Sequence, residues 1–100
     1  MKLISGSSNK PLSKNIAELL GIEEIETNIS TFENGEKKIH INANLHGENI
    51  CLVQSFSNPV DQNIIEFLLI TDALERMGVR HITLVLPWMG YSLQDKVFKN

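Results

Sequence analysis

The apolar positions of this chain change their period several times, and each change marks an element. Lys2 to Ser5 is a short extended run closed by the small residues Gly6, Ser7 and Ser8. Asn9 and Pro11 punctuate a helix start, after which Leu12, Ile16, Leu19 and Leu20 recur at helical spacing. Gly21 suits the left-handed end of that helix. Glu24 to Phe32 is β-branched and partly alternating, as is Lys37 to Ile41, where Ile39 and Ile41 share a face. Between these runs, Asn34-Gly35 tolerates the positive φ angles of a two-residue turn, so an antiparallel hairpin is expected. His46-Gly47 marks a loop before a further strand, Ile50 to Gln54.

Asn58-Pro59 opens a long helix that runs to Met77, with Gly78 beyond it. Its apolar residues, from Ile64 and Ile65 through Phe67 to Ile70 and on to Leu74, cover more than one stripe. A helix apolar around that much of its circumference is buried on more than one side, and a subunit contact accounts for the second side. Val79 to Leu86 is mostly apolar, with an unbroken run at its end, the pattern of a strand covered on both faces. Strands alternating with helices point to a single α/β domain over residues 1–100, built on a mainly parallel sheet plus the antiparallel hairpin. The tail from Tyr91 to Asn100 has no clear periodicity.

Composition narrows the class more than the function. A chain of 100 residues buries roughly 60–70% of its unfolded surface, enough for one small core. Apolar residues make up 42% and charged residues 21%, with a net charge of −3. That charge offers no footprint for nucleic acid or for an anionic membrane surface. The opening apolar run is too short for a signal peptide, and no stretch reaches the ~20 apolar residues that span a bilayer. Cys51 is the single cysteine, so no internal disulfide forms, and it reads as a buried strand residue. A cytoplasmic location is expected.

Candidate chemistry is sparse. Neither a GxGxxG fingerprint nor a GxxxxGK[ST] loop is present, and no histidine pair has zinc spacing. His40 reads as a solvent-facing hairpin residue and His81 as a surface residue at the start of the last strand. Gly6-Ser7-Ser8 can present N–H groups to a phosphate, although a plain turn with a Ser or Asn cap is the favoured reading. Phe32, Asn34 and Glu36 place a ring, a carboxamide and a carboxylate around one hairpin tip. A purine can stack on such a ring and donate its exocyclic amine to Glu36 or to the Asn34 side-chain oxygen. By spacing alone, a hairpin whose Asn-Gly serves only the turn is the better reading. Pro87 to Asp95 follows the carboxyl end of a parallel strand, where open α/β sheets hold ligands, and Gln94 and Asp95 are its polar candidates.

Taken together, these segments resemble the N-terminal part of ribose-phosphate pyrophosphokinase, also called phosphoribosyl pyrophosphate synthetase. Leu3-Ile4-Ser5-Gly6-Ser7-Ser8 is similar to its opening strand and turn, and Phe32-Glu33-Asn34-Gly35-Glu36 to its Phe-Ser-Asp/Asn-x-Glu hairpin. Asn44 to Ile50, Val53-Gln54-Ser55 and Asn63 to Glu66 resemble the stretches that follow. Thr83 to Pro87 with Gly90 to Lys96 resembles its Pro-Tyr-x-x-Tyr-Ala-Arg-Gln-Asp segment. The resemblance implies a Rossmann-like, phosphoribosyltransferase-like fold and transfer of diphosphate from ATP to ribose 5-phosphate with Mg²⁺, releasing AMP. It also implies that Phe32, Asn34 and Glu36 hold adenine across a subunit contact and that Gln94 and Asp95 complete the ATP site. A homo-oligomer, or pairing with the enzyme's second half, follows from the same source.

Two positions depart from the family pattern. Leu93 stands where the family has an ATP-contacting arginine, and leucine has no fork of donors. His46 stands where many members have an arginine used for an allosteric phosphate. The family's metal histidine, catalytic lysine and acidic ribose-5-phosphate loop have no counterpart in these residues, so the isolated chain is expected to be inactive. A non-catalytic regulatory or assembly relative, and a Rossmann-like module that binds a nucleotide or a protein, remain alternatives.

Overall fold

A computed structural model of the chain describes residues 1–87. Its elements run β1 (Lys2–Ser5), α1 (Lys10–Leu20), β2 (Glu23–Ile25), β3 (Thr27–Thr31), β4 (Lys37–Ile41), β5 (Asn49–Val53), α2 (Val60–Arg76) and β6 (His81–Val85). The main sheet has the order β2-β1-β5-β6 and is parallel throughout, while β3 and β4 form a separate antiparallel pair. Lys2 and Glu23 are register partners at one end of the β1–β2 pair, joined by a 2.8 Å ion pair that holds the lysine's pKa above its ordinary value.

Alternation along the strands assigns the two helices to opposite faces. Ile4, Ile50 and Leu52 point to the side of Leu45 and α2, where Ile70 and Leu74 complete a dry cluster. Leu3, Cys51 and Val53 point the other way and pack against Ala17 of α1. Burying a side chain of this kind contributes about 1.5–3 kcal/mol, so β1 and β5, buried on both faces, form the stable centre of the domain. Burial also pushes the Cys51 thiol above its ordinary pKa, consistent with its expected place inside a strand.

Helix α1 starts where Asn9 Oδ1 accepts the Leu12 N–H at 3.3 Å, and it ends at Gly21 with φ +65°. Its inward face is narrower than its apolar residues suggest. Leu12 and Ile16 are partly covered, but Leu19 is 86% exposed and Leu20, at the helix end, is 58% exposed. Helix α2 follows Pro59 and buries Asn63, Glu66, Ile70 and Leu74 on one face only. Ile65 and Leu68, expected to be covered on a second side, are 51% and 53% exposed within this chain.

Two further expectations need correction. The run Glu24 to Phe32 is not one strand: Ile25 closes β2 in the main sheet, and from Thr27 the chain pairs with β4 instead. Period-two burial continues across the break, through Ile25, Thr27 and Ile29, so periodicity reported the buried face but not the change of partner. Among the described residues the last strand is also not covered on both faces. Among the described residues β6 has β5 as its neighbour at the edge of the sheet, and Leu84 is 37% exposed. Among the described residues no helix is long and apolar enough to cross a membrane.

Candidate nucleotide-binding site

The β3–β4 connection is a three-residue loop rather than the two-residue turn that Asn34-Gly35 suggests. The Gly35 N–H donates to the Phe32 carbonyl at 2.9 Å and the Phe32 N–H donates to the Glu36 carbonyl at 2.7 Å. Only Gly35 in this loop takes a positive φ, +90°, whereas a two-residue primed turn would also have needed one at Asn34. The Asn34 carboxamide folds back instead, its Oδ1 accepting the Glu36 N–H at 3.1 Å. The tip thus bonds the N–H groups of Phe32, Gly35 and Glu36 within itself, while its residues stay exposed. Phe32 is 51% exposed, and Phe32, Glu33, Asn34 and Glu36 line one open hollow of about 570 Å³. The three hairpin residues singled out from sequence lie together; Gln94, Asp95 and Leu93 lie outside the described residues.

The Gly6-Ser7-Ser8 turn has a different occupation from the phosphate site considered above. The Ser7 N–H and Oγ–H each donate at 2.7 Å to Glu66, one to each carboxylate oxygen. Ser8 donates its hydroxyl to Gln54 Oε1, while the Ser55 N–H donates to Ser8 Oγ at 2.7 Å. Gln54 Nε2 in turn donates to Glu66 Oε2 at 2.8 Å and to the Asn63 carbonyl at 3.1 Å. The donors that a phosphate would need are therefore committed to side chains of the domain itself. An added Cβ at Gly6 would collide with the Gln54 carboxamide, so a larger residue there would displace that group from its network.

Glu66 and Gln54, both 0% exposed, are the residues that sequence reasoning passed over. A signal was present: Asn63, Glu66, Ile70 and Leu74 are spaced by three or four, so two polar residues sit on the helix's inward stripe. Buried polar groups of this kind need partners, and their presence predicts a hydrogen-bonded network.

The remaining candidates fall elsewhere. His40 and His81 are exposed on β4 and β6, as expected. The His46 N–H donates to Asn44 Oδ1 at 3.3 Å, and its ring lies against Gly78 near the amino end of β6. Among the described residues no group of three or more His, Cys, Asp or Glu side chains converges.

The profile of the N-terminal domain of ribose phosphate pyrophosphokinase matches this chain over residues 1–100. The chain belongs to the ribose-phosphate pyrophosphokinase family. The Aquifex aeolicus enzyme is 41% identical over 96 residues, covering 96% of this chain and 31% of that protein. The Bacillus caldolyticus enzyme is 40% identical, with coverage of 96% and 30%. The chain therefore spans about a third of the length of the curated relatives it matches.

Among solved structures, the phosphoribosylpyrophosphate synthetase of Mycobacterium smegmatis superposes with a TM-score of 0.88 at 28% identity, over 99% of this chain and 33% of that one. A purine phosphoribosyltransferase from Pyrococcus horikoshii shares the fold at a TM-score of 0.56 and 14% identity, over 89% of this chain and 63% of that one. The chain thus has a phosphoribosyltransferase-like sheet, with the hairpin set beside it as its own two-stranded unit.

Proposed function

We propose that the hairpin tip binds the adenine of ATP, as the N-terminal contribution to an enzyme that transfers diphosphate from ATP to ribose 5-phosphate. In that reaction the 1-hydroxyl oxygen of the sugar bonds to the β-phosphorus and releases its proton to water, the bond from that phosphorus to the bridging oxygen breaks, and AMP departs with that oxygen. The role of this domain is to bind and orient one end of the nucleotide, since positioning supplies much of the catalysis in phosphoryl transfer.

Phe32 offers an exposed ring face for stacking. Because Asn34 Oδ1 already accepts the Glu36 N–H, the Glu36 carboxylate is the better acceptor for the exocyclic amine. The Asn34 amide hydrogens are then disposed to donate to a ring nitrogen. Gln94 and Asp95 complete the nucleotide contact in this reading. Mg²⁺, which the family implies, would be held in this domain chiefly through the nucleotide phosphates and water, since the described residues gather no group of three His, Cys, Asp or Glu side chains. A cytoplasmic homo-oligomer, in which a second copy faces the hairpin, belongs to the same proposal.

The observation that carries the reading is the exposure of Phe32, Asn34 and Glu36 around one hollow, in a chain that the family profile matches from end to end. Titration of the ¹⁵N-labelled chain with AMP tests it. Shifts should cluster at residues 32–36 and 91–95, and shifts confined to other surfaces would rule the site out.

A further inference from the structure

Strand β4 alternates in a way that ties the hairpin to α2. Lys37, Ile39 and Ile41 turn inward and are partly buried, while Lys38 and His40 are exposed. Ile39 and Ile41 pack against the cluster that holds Ile70 and Leu74. Lys37 extends this inward row by one position towards the tip, where α2 presents Glu66. Its Nζ lies 3.7 Å from Glu66 Oε1, with the lysine side chain 21% exposed and the glutamate 0%. Past Lys37, every residue from Thr31 to Glu36 is exposed.

Glu66 is a well-fixed partner. Two bonds from Ser7 and one from Gln54 hold both of its oxygens, so its negative charge has a defined place in the domain. We infer that the Lys37–Glu66 ion pair positions the hairpin tip, setting Phe32, Asn34 and Glu36 relative to the body of the domain for nucleotide binding. This inference rests on the adenine reading above. Lys37 is a positioning residue that does not itself touch the base. A tip held in place loses less freedom when it binds, and that saving appears as affinity.

The experiment compares Lys37→Met, Lys37→Arg and Lys38→Met in the full 100-residue chain. AMP affinity is measured by NMR titration and tip motion by ¹⁵N relaxation at residues 32–36. Lys37→Met keeps an aliphatic stem but removes the charge. It should weaken AMP binding roughly three- to tenfold and increase tip motion. Lys37→Arg should restore both, and Lys38→Met, which removes the same charge from the outward face, should change neither. If Lys37→Met does not fold, Lys37→Gln is expected to give the same split. Equal behaviour of the Lys37 and Lys38 variants in both measurements would overturn the inference. If the unaltered chain binds no AMP, the adenine reading fails separately. The relaxation data then decide the positioning role alone: greater tip motion in Lys37→Met than in Lys38→Met supports it, and equal motion overturns it.

Discussion

Phe32 and Glu66 show how differently two residues in one domain respond to change. Phe32 is half exposed and helps no core, so Phe32→Ala should shift stability by less than about 0.5 kcal/mol. Its stacking role predicts a larger effect on ligand, since base–aromatic stacking is worth about 1–3 kcal/mol, or about tenfold and more in AMP affinity. Titration and a urea melt of the same variant would separate the two, and an unchanged affinity would reduce the tip to a plain turn. Glu66 has the opposite profile. In Glu66→Gln, one acceptor oxygen becomes an amide NH2, facing the Ser7 N–H and Gln54 Nε2 at the Oε2 position or the Ser7 hydroxyl and the Lys37 ammonium at the Oε1 position. The least costly placement puts that group at the Oε1 position, where Ser7 Oγ can rotate to accept, although the ion pair with Lys37 is lost. The expected loss is about 1–3 kcal/mol, read as a lower urea midpoint with an unchanged slope.

At the scale of elements, the hairpin and α2 carry most of what matters for function. The hairpin depends on Gly35, whose φ of +90° is strained for any residue with a Cβ, although space around it is open. Gly35→Ala should therefore cost about 1–2 kcal/mol through conformation alone, and loosen the 32–36 loop before the main sheet. Thermal melts together with amide shifts of residues 31–37 would show it; a wild-type melt with unmoved shifts would refute it. Helix α2 uses one stripe for the core and the Glu66 network, and leaves Ile65 and Leu68 outward. Helical spacing revealed how many of its positions are apolar, yet it could not rank the stripes, because that choice depends on what the sheet and hairpin bring to each side.

For the whole molecule, the outward stripe of α2 and, among the described residues, the exposed Leu84 of β6 leave apolar surface of a kind that protein contacts usually cover. Sedimentation at micromolar concentration should show a dimer or larger species, and Leu68→Gln should shift it towards the 11.3 kDa monomer. A monomer in the unaltered chain would count against a nucleotide site completed by a second copy. The local features of this fold were legible in the sequence because neighbouring residues cause them: the Asn9 cap, the Gly21 stop, the hairpin around Gly35 and the extended runs of β1 and β5. So was the grouping of Phe32, Asn34 and Glu36, which a tight turn brings together whatever surrounds it. Other features were decided only by tertiary structure. Ser7 and Glu66 lie 59 positions apart, and nothing local to either announces that the first donates to the second. The break between β2 and β3, the exposure of Leu19 and the facing of Lys37 with Glu66 likewise depend on which distant element arrives to pair or pack. Short-range sterics and hydrogen bonding are written into consecutive residues, whereas burial and ion pairing are properties of surfaces that exist only once the chain has closed on itself.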